Sequence, residues 1–429
     1  MTLLQPSHAE LPDLSPAGPR ASVGVAEVGL FALTALAVSM PSGLLLFGLC
    51  LLASSLMGLR VLGADRRRFG WPLRALGWLT LAVLALSLLS VVLFEHGLRD
   101  VDNRSRFVVL PWAALWAYAL RPRVLWLWRG ALLGVFVALL LALLQVMNGA
   151  ERADGWTNAI VFADIMLMLM VLLVFCRPPG QWPWLAVALA CGGAVIVMSG
   201  SRGVWLGLLG LLLVVVWGAR WRSGRTRLLI FAAGAAIAAT LVLTVPALTQ
   251  QMRIGELKSD IARFEVGDSD SSAGARIERL HVAWDTFLQH PLTGIGVGHF
   301  DDAMRILPQC QGEAWLKRCH LGHAHNDAAE WAATQGVPGL LLLLAIYGLP
   351  LGILVKLYRR SGQPRFRGPA AAGIMVVVSY VLCGLTQSMF AHQLTAGFYV
   401  SVIGVLIGLA AREAQAAGAA AAGSLQRVR

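Results

Sequence analysis

The chain has 429 residues, 57% hydrophobic and only 14% charged, with a formal net charge of +12 and a mean hydropathy of +0.69. Soluble globular domains carry about 25% charged residues, so this composition excludes an ordinary soluble enzyme and predicts an all-α, polytopic membrane protein. The basic excess sits between apolar runs, which makes it a topology signal rather than a nucleic-acid footprint, and no nucleic-acid partner is expected.

In chain order, residues 1–22 are polar and proline-rich with no apolar core ahead of the first span. They read as a cytoplasmic tail rather than a cleavable signal. About twelve apolar runs follow, most of them long enough to cross roughly 30 Å of hydrocarbon as helices. Residues 23–247 are expected to hold nine: Val23–Met40, Gly43–Leu62, Gly77–Phe94, a short one at Phe107–Leu120, Val124–Met147 with Arg129 inside it, Asn158–Cys176, Trp182–Met198, Val204–Ala219 and Leu228–Ala247. Residues 248–336 form one long loop. Residues 337–411 hold three more spans, Val337–Tyr358, Pro369–Phe390 and Leu394–Ala411, and residues 412–429 form a low-complexity tail.

Arginine orients these spans, because positive charge is retained on the cytoplasmic side of short loops. The connections with Arg66–Arg68 and Arg74, Arg121 and Arg123, Arg177, Arg220–Arg227, and Lys356–Arg367 are every second loop. Both termini are therefore expected inside, with the 248–336 loop on the outer face. An outer loop with Arg99, Arg104 and Arg106 is the exception, and Glu95, Asp100 and Asp102 balance it. Cys50, Cys176, Cys191 and Cys383 fall in or at spans, where thiols behave as small apolar groups. Cys310 and Cys319 lie in the outer loop, where an oxidising compartment would join them as a disulfide.

Within that loop, Ile277, Leu280, Trp284, Phe287 and Leu288 recur at helical spacing and predict a helix with an apolar face, ended by His290-Pro291. Arg276 falls in its first turn. Gly294, Gly296 and Gly298 follow; without a preceding strand they are a poor dinucleotide signal and read as a tight re-entry into the membrane. In His323-Ala324-His325-Asn326-Asp327, Asp327 with Glu330 fits a capping box, which puts His325 just ahead of a helix N-terminus. A positive helix end disfavours imidazolium, so a neutral His325 can accept a proton while the same end attracts phosphate. Arg202 sits in the outer turn Ser199-Gly200-Ser201-Arg202-Gly203, where a guanidinium tends either to face a polar cavity or to snorkel.

Other polar groups have competing readings. His320, His323 and His325 with Asp327 resemble a metal cluster, but no second ligand set at a recognised spacing accompanies them. Asp100-Val101-Asp102 and Asp268-Ser269-Asp270 have the form used by metal-dependent glycosyltransferases and equally read as solvated loops, as do Glu151 and Asp154. Asp164 lies inside a span, where a carboxylate serves either function or a structural hydrogen bond. Arg104 and Arg106 either extend a basic cavity or anchor at the interface. His299 and His392 read as surface or satisfied groups, and the many Trp residues as interfacial anchors.

Taken together, the segment from Arg276 through Trp284, His290-Pro291-Leu292-Thr293-Gly294-Ile295-Gly296-Val297-Gly298, His323-Ala324-His325-Asn326 and Gly336-Val337-Pro338-Gly339 resembles the signature domain shared by bacterial O-antigen ligases and O-antigen polymerases. The resemblance covers about Ser199–Pro350. It implies a membrane-embedded, metal-independent and cofactor-free glycosyltransferase. The implied donor is a glycan on undecaprenyl pyrophosphate, and the ligase acceptor is lipid A-core. By the resemblance Arg202, Arg276 and His325 match the family's essential residues; the two arginines would grip the pyrophosphate, with His325 as base for an inverting displacement. Arg104, Arg106, Asp164, His323 and Asn326 are expected accessories. A polymerase with a lipid-linked acceptor is the alternative inside the family, and a lipid-linked sugar transporter the alternative outside it.

Overall fold

The computed structural model describes residues 19–95, 97–218, 272–311, 317–320, 322–361 and 367–427. The expected span Leu228–Ala247, the loop arginines Arg220, Arg222, Arg225, Arg227 and Arg365, and the Asp268-Ser269-Asp270 triplet lie outside the described residues, as does most of the N-terminal tail. Among the described residues the chain is helical throughout. Its longer helices are α1 (Arg20–Ala35), α2 (Leu45–Met57), α3 (Leu59–Phe69), α4 (Trp71–Phe94), α5 (Val109–Leu120), α6 (Val124–Met147), α7 (Ala159–Phe175), α8 (Trp182–Met198), α9 (Trp205–Gly218), α10 (Ser272–Gln289), α11 (Asp327–Arg360), α12 (Gly368–Gly384) and α13 (Gln393–Arg427).

By length and apolarity α4, α6, α11 and the 393–418 part of α13 are sufficient to cross a membrane, and α2 with α3 passes that test only as a bent pair. Helices α7, α8 and α12 are apolar but have 17 residues, a rise of about 25 Å. The expectation of about twelve full spans is therefore met only in part among the described residues. The expected continuous span Gly43–Leu62 instead bends by 93° between Met57 and Leu59. Beyond that bend the helix carries Asp65 and Arg66–Arg68, whose charges oppose continuing into hydrocarbon.

Two helices form the centre. Helix α7 is buried on every side from Val161 to Phe175, as expected for a helix that is apolar all round. Nearly all of the apolar part of α13 is buried as well. Its closest neighbour is α5, and small residues permit the approach: a Cβ at Gly404 would stand 2.6 Å from the Leu110 carbonyl oxygen, and one at Gly408 would strike that of Ala114. Such small-residue contacts replace the hydrophobic drive that helices lack in lipid. Toward the far end of α13, roughly 28 Å from its start, Arg412 donates to the Tyr118 carbonyl at 2.6 Å and pairs with Asp65 of α3.

Helix α11 is two helices in one line of sequence. Gly336 adopts φ 65° and ψ −153°, a conformation open to glycine. The chain around Gly294 closes onto the break: Val337 N donates to Pro291 O at 2.8 Å, Ile295 N to Ala333 O at 3.1 Å, and Gly296 N to Thr334 O at 3.0 Å. Gly294, Gly296 and Gly298 thus form a turn stitched to the helix break. Cys310 and Cys319 are joined, with Cα atoms 5.7 Å apart, and they close the loop just ahead of His323.

Helix α10 forms where its spacing predicts and turns much of its apolar face outward. Leu280, Trp284 and Leu288 are exposed, while Arg279, Val282, Ala283 and Thr286 are buried. Helical spacing identifies an apolar face, but in a membrane protein such a face has lipid as well as a core to turn toward. Leu292, and Leu341 and Leu344 of α11, are exposed as well.

Candidate active site

The polar groups converge where three connections meet: the Ser199–Val204 turn after α8, the His323–Asn326 segment before α11, and residues 385–392 between α12 and α13. The capping box expected from Asp327 and Glu330 is replaced by a different arrangement. Asn326 is the N-cap, its Oδ1 accepting from Ala329 N at 2.9 Å, while its Nδ2 donates to Leu385 O at 3.0 Å. Glu330 reaches back past the cap, accepting from Ala324 N at 2.7 Å. His325, held between these two anchors, has φ 56°, a left-handed conformation uncommon outside glycine and a mark of local constraint.

His325 Nδ1 lies 2.8 Å from Gln387 Oε1. Gln387 Oε1 also accepts from Ser388 N at 3.1 Å, and Gln387 Nε2 lies 3.0 Å from His392 Nε2. The His323 ring centroid is 4.4 Å from that of His325 and 4.8 Å from that of His392, so three imidazoles cluster. Burial pushes His325 down to about 4, reinforced by the charges of Arg276 and Arg279. Burial also lowers His392 to about 4. Both of these rings are neutral near pH 7 and available as proton acceptors.

Arg276, half-buried on α10, is near enough for its charge to act on both His325 and Asp164. Arg202 reaches the same region through its neighbour: Gly203 packs so closely on Thr386 that a Cβ would collide with that side chain, and Thr386 adjoins Gln387. Arg152 braces the Arg202 turn, donating to Ser199 O at 2.8 Å and Ser201 Oγ at 3.1 Å. Ser201 Oγ in turn donates to Ala159 O at the head of α7.

Of the remaining expected accessories, Asp164 stays within reach of the Arg276 charge, while Arg104 and Arg106 turn to other partners. Arg104 is buried, its guanidinium 3.4 Å from the centre of the Trp331 ring, where it faces the buried carboxylates of Glu330 and Asp327 instead of widening a basic cavity. Asp327 accepts from Tyr347 Oη at 2.6 Å. Arg106 pairs with Asp102 at 3.0 Å and lines a largely apolar cavity of about 490 Å³ with Trp112, Trp156 and Gln393. Asp164 is buried in α7, near Cys383. Asp100 and Asp102 are both engaged, Asp100 with His299 at 3.2 Å and Asp102 with Gln393 at 3.0 Å. Among the described residues no group of three or more His, Cys, Asp or Glu side chains is arranged to hold a metal ion.

Gln387, His392 and Arg152 carry the geometry of the site without standing out in the sequence. The available signal is a polar run, Thr386-Gln387-Ser388 with His392 close behind, at the end of an apolar segment whose helix stops at Gly384.

Residues 186–344 match a family model described as O-antigen ligase. A protein of Haemophilus influenzae (strain ATCC 51907 / DSM 11121 / KW20 / Rd), described as an uncharacterized protein, is 23% identical over 328 residues, covering 74% of this chain and 81% of its own length. The family match spans the Arg202 turn, α10 with Arg276, and His325.

Proposed function

We propose that the chain transfers a glycan from undecaprenyl pyrophosphate to lipid A-core at the periplasmic face of the bacterial inner membrane; the match of residues 186–344 to the O-antigen ligase family model supports this reading. Members of that family are glycosyltransferase-like enzymes that use lipid-linked oligosaccharides. The observation that carries the reading is the neutral His325 within reach of the Arg276 charge, beside the connection that also contacts the Arg202 turn.

In this scheme the pyrophosphate lies on Arg202 and Arg276. Planar guanidinium groups grip phosphate oxygens in pairs and stabilise the charge that develops as the leaving group departs. His325 removes the proton from an acceptor hydroxyl, whose oxygen attacks the anomeric carbon. The new glycosidic bond forms as the bond to pyrophosphate breaks, and the electron pair leaves with undecaprenyl pyrophosphate. One displacement inverts the anomeric centre, and the two arginines occupy the place that a divalent metal takes in other glycosyltransferases.

Arg276→Ala is expected to lower transfer by roughly 100- to 1000-fold, the usual effect of losing one preorganised charge contact, while the wild-type protein keeps its activity in EDTA. Undiminished transfer by the variant, or loss of activity in EDTA, rejects the scheme. In cells, deletion is expected to leave lipid A-core without O-antigen while lipid-linked polymer accumulates. Capping with a single repeat unit would identify a polymerase instead.

A further inference from the structure

The amide of Gln387 has its orientation set from outside the imidazole cluster. Ser388 N can only donate, so the Gln387 atom it meets at 3.1 Å must be the carbonyl oxygen. That same oxygen is the one 2.8 Å from His325 Nδ1. An acceptor facing Nδ1 requires the proton on Nδ1, which leaves the lone pair of the neutral ring on Nε2. The other end of the amide agrees with this assignment: Gln387 Nε2 donates to His392 Nε2 at 3.0 Å, so His392 carries its own proton on Nδ1. Among the described residues nothing hydrogen-bonds His325 Nε2.

We propose that Gln387 is a positioning residue that locks His325 in the Nδ1–H tautomer and so presents Nε2 to the acceptor hydroxyl. This rests on the reading of His325 as the base. A base must hold its lone pair toward the proton it takes, and an imidazole in the wrong tautomer presents an N–H there instead. When Nε2 receives the proton, the Gln387 carbonyl remains on Nδ1–H and stabilises the imidazolium against the opposing charges of Arg276 and Arg279. The other titratable rings against His325 are His323 and His392. Glutamine suits the position because it accepts a hydrogen bond without a full negative charge, so His325 stays neutral in the resting site.

The test uses the full chain in nanodiscs with histidine ring nitrogens labelled by ¹⁵N. The His325 signal, assigned by its loss in His325→Ala, is expected in the Nδ1–H form. Gln387→Leu, of similar size but with no acceptor, is expected to mix the tautomers and to lower kcat at least about tenfold, with the KM for an undecaprenyl-pyrophosphate-linked oligosaccharide within about twofold. Gln387→Glu keeps the acceptor; it is expected to retain the tautomer and to move the acid limb of the kcat–pH profile upward, because a carboxylate stabilises the imidazolium. An Nε2–H signal in the wild type, or an unchanged signal and kcat in Gln387→Leu, overturns the proposal. Full transfer by His325→Ala overturns the base reading itself, and the tautomer signal distinguishes the two failures because it is read without turnover.

Discussion

At the scale of single residues, the proposed role of His325 as base ties its charge state to rate. Its pKa of about 4 in the resting site is set first by burial and then by Arg276. In the proposed scheme protonation removes the base, so activity is expected above this pKa and is lost as pH falls through it. The acid limb of kcat/KM, which reports the free enzyme, is therefore expected near pH 4. Once a pyrophosphate offsets the charge of Arg276, the limb of kcat is expected at higher pH. Coincident limbs in the two profiles would show that donor charge does not reach His325. The same depression acts on stability. Unfolded histidines take up protons near 6.5, whereas His325 and His392 in the fold do so at about 4. The fold therefore loses stability as pH drops from about 6.5 toward about 4. Arg276 and His325 are legible in the sequence because each lies beside a recognisable helix start. Gln387 is not, because the apolar run Pro369–Phe390 reads as one span and masks the turn that begins after Gly384.

At the scale of elements, periodicity identifies helices better than it identifies what they face. The Leu280, Trp284 and Leu288 positions do share a face of α10, yet that face is exposed and Arg279 is among the residues buried opposite. Hydrophobic spacing does not distinguish a protein core from acyl chains, since both remove apolar surface from water. In liposomes, a spin label at Leu288 is expected to be relaxed by dissolved oxygen more than by a water-soluble nickel chelate. A label at exposed Asp285 is expected to show the reverse. Preferential relaxation of both labels by the chelate would place the stripe in water. The break at Gly336 illustrates the converse. Gly336-Val337-Pro338-Gly339 marks a boundary in the sequence, but the close succession of the two halves of α11 depends on the Pro291–Gly296 turn, which accepts and supplies the hydrogen bonds across the break.

At the scale of the whole molecule, the arginine pattern predicts which end of the bundle faces which compartment. Single cysteines placed at exposed Trp156 and Leu292 are expected to react with a membrane-impermeant maleimide in spheroplasts. One at Arg68 is expected to react only after lysis. Labelling of Leu292→Cys only after lysis would invert the orientation and remove the periplasmic scheme. The buried pairing of Arg412 with Asp65 and the Tyr118 carbonyl joins α3, α5 and α13 at the end remote from His325, so the central helix is anchored at both ends.

Composition and apolar run length by themselves determined that this is a helical membrane protein, because hydrocarbon requires backbone polar groups to be satisfied within each segment. Local capping and turn chemistry likewise marked the neighbourhoods of Arg202, Arg276 and His325. Only tertiary structure decided that Gln387 meets His325, that Arg104 turns inward to Glu330 and Asp327, and that the apolar face of α10 is exposed. Those outcomes depend on which distant segments pack together, and the spacing of residues along one helix carries no information about its partner.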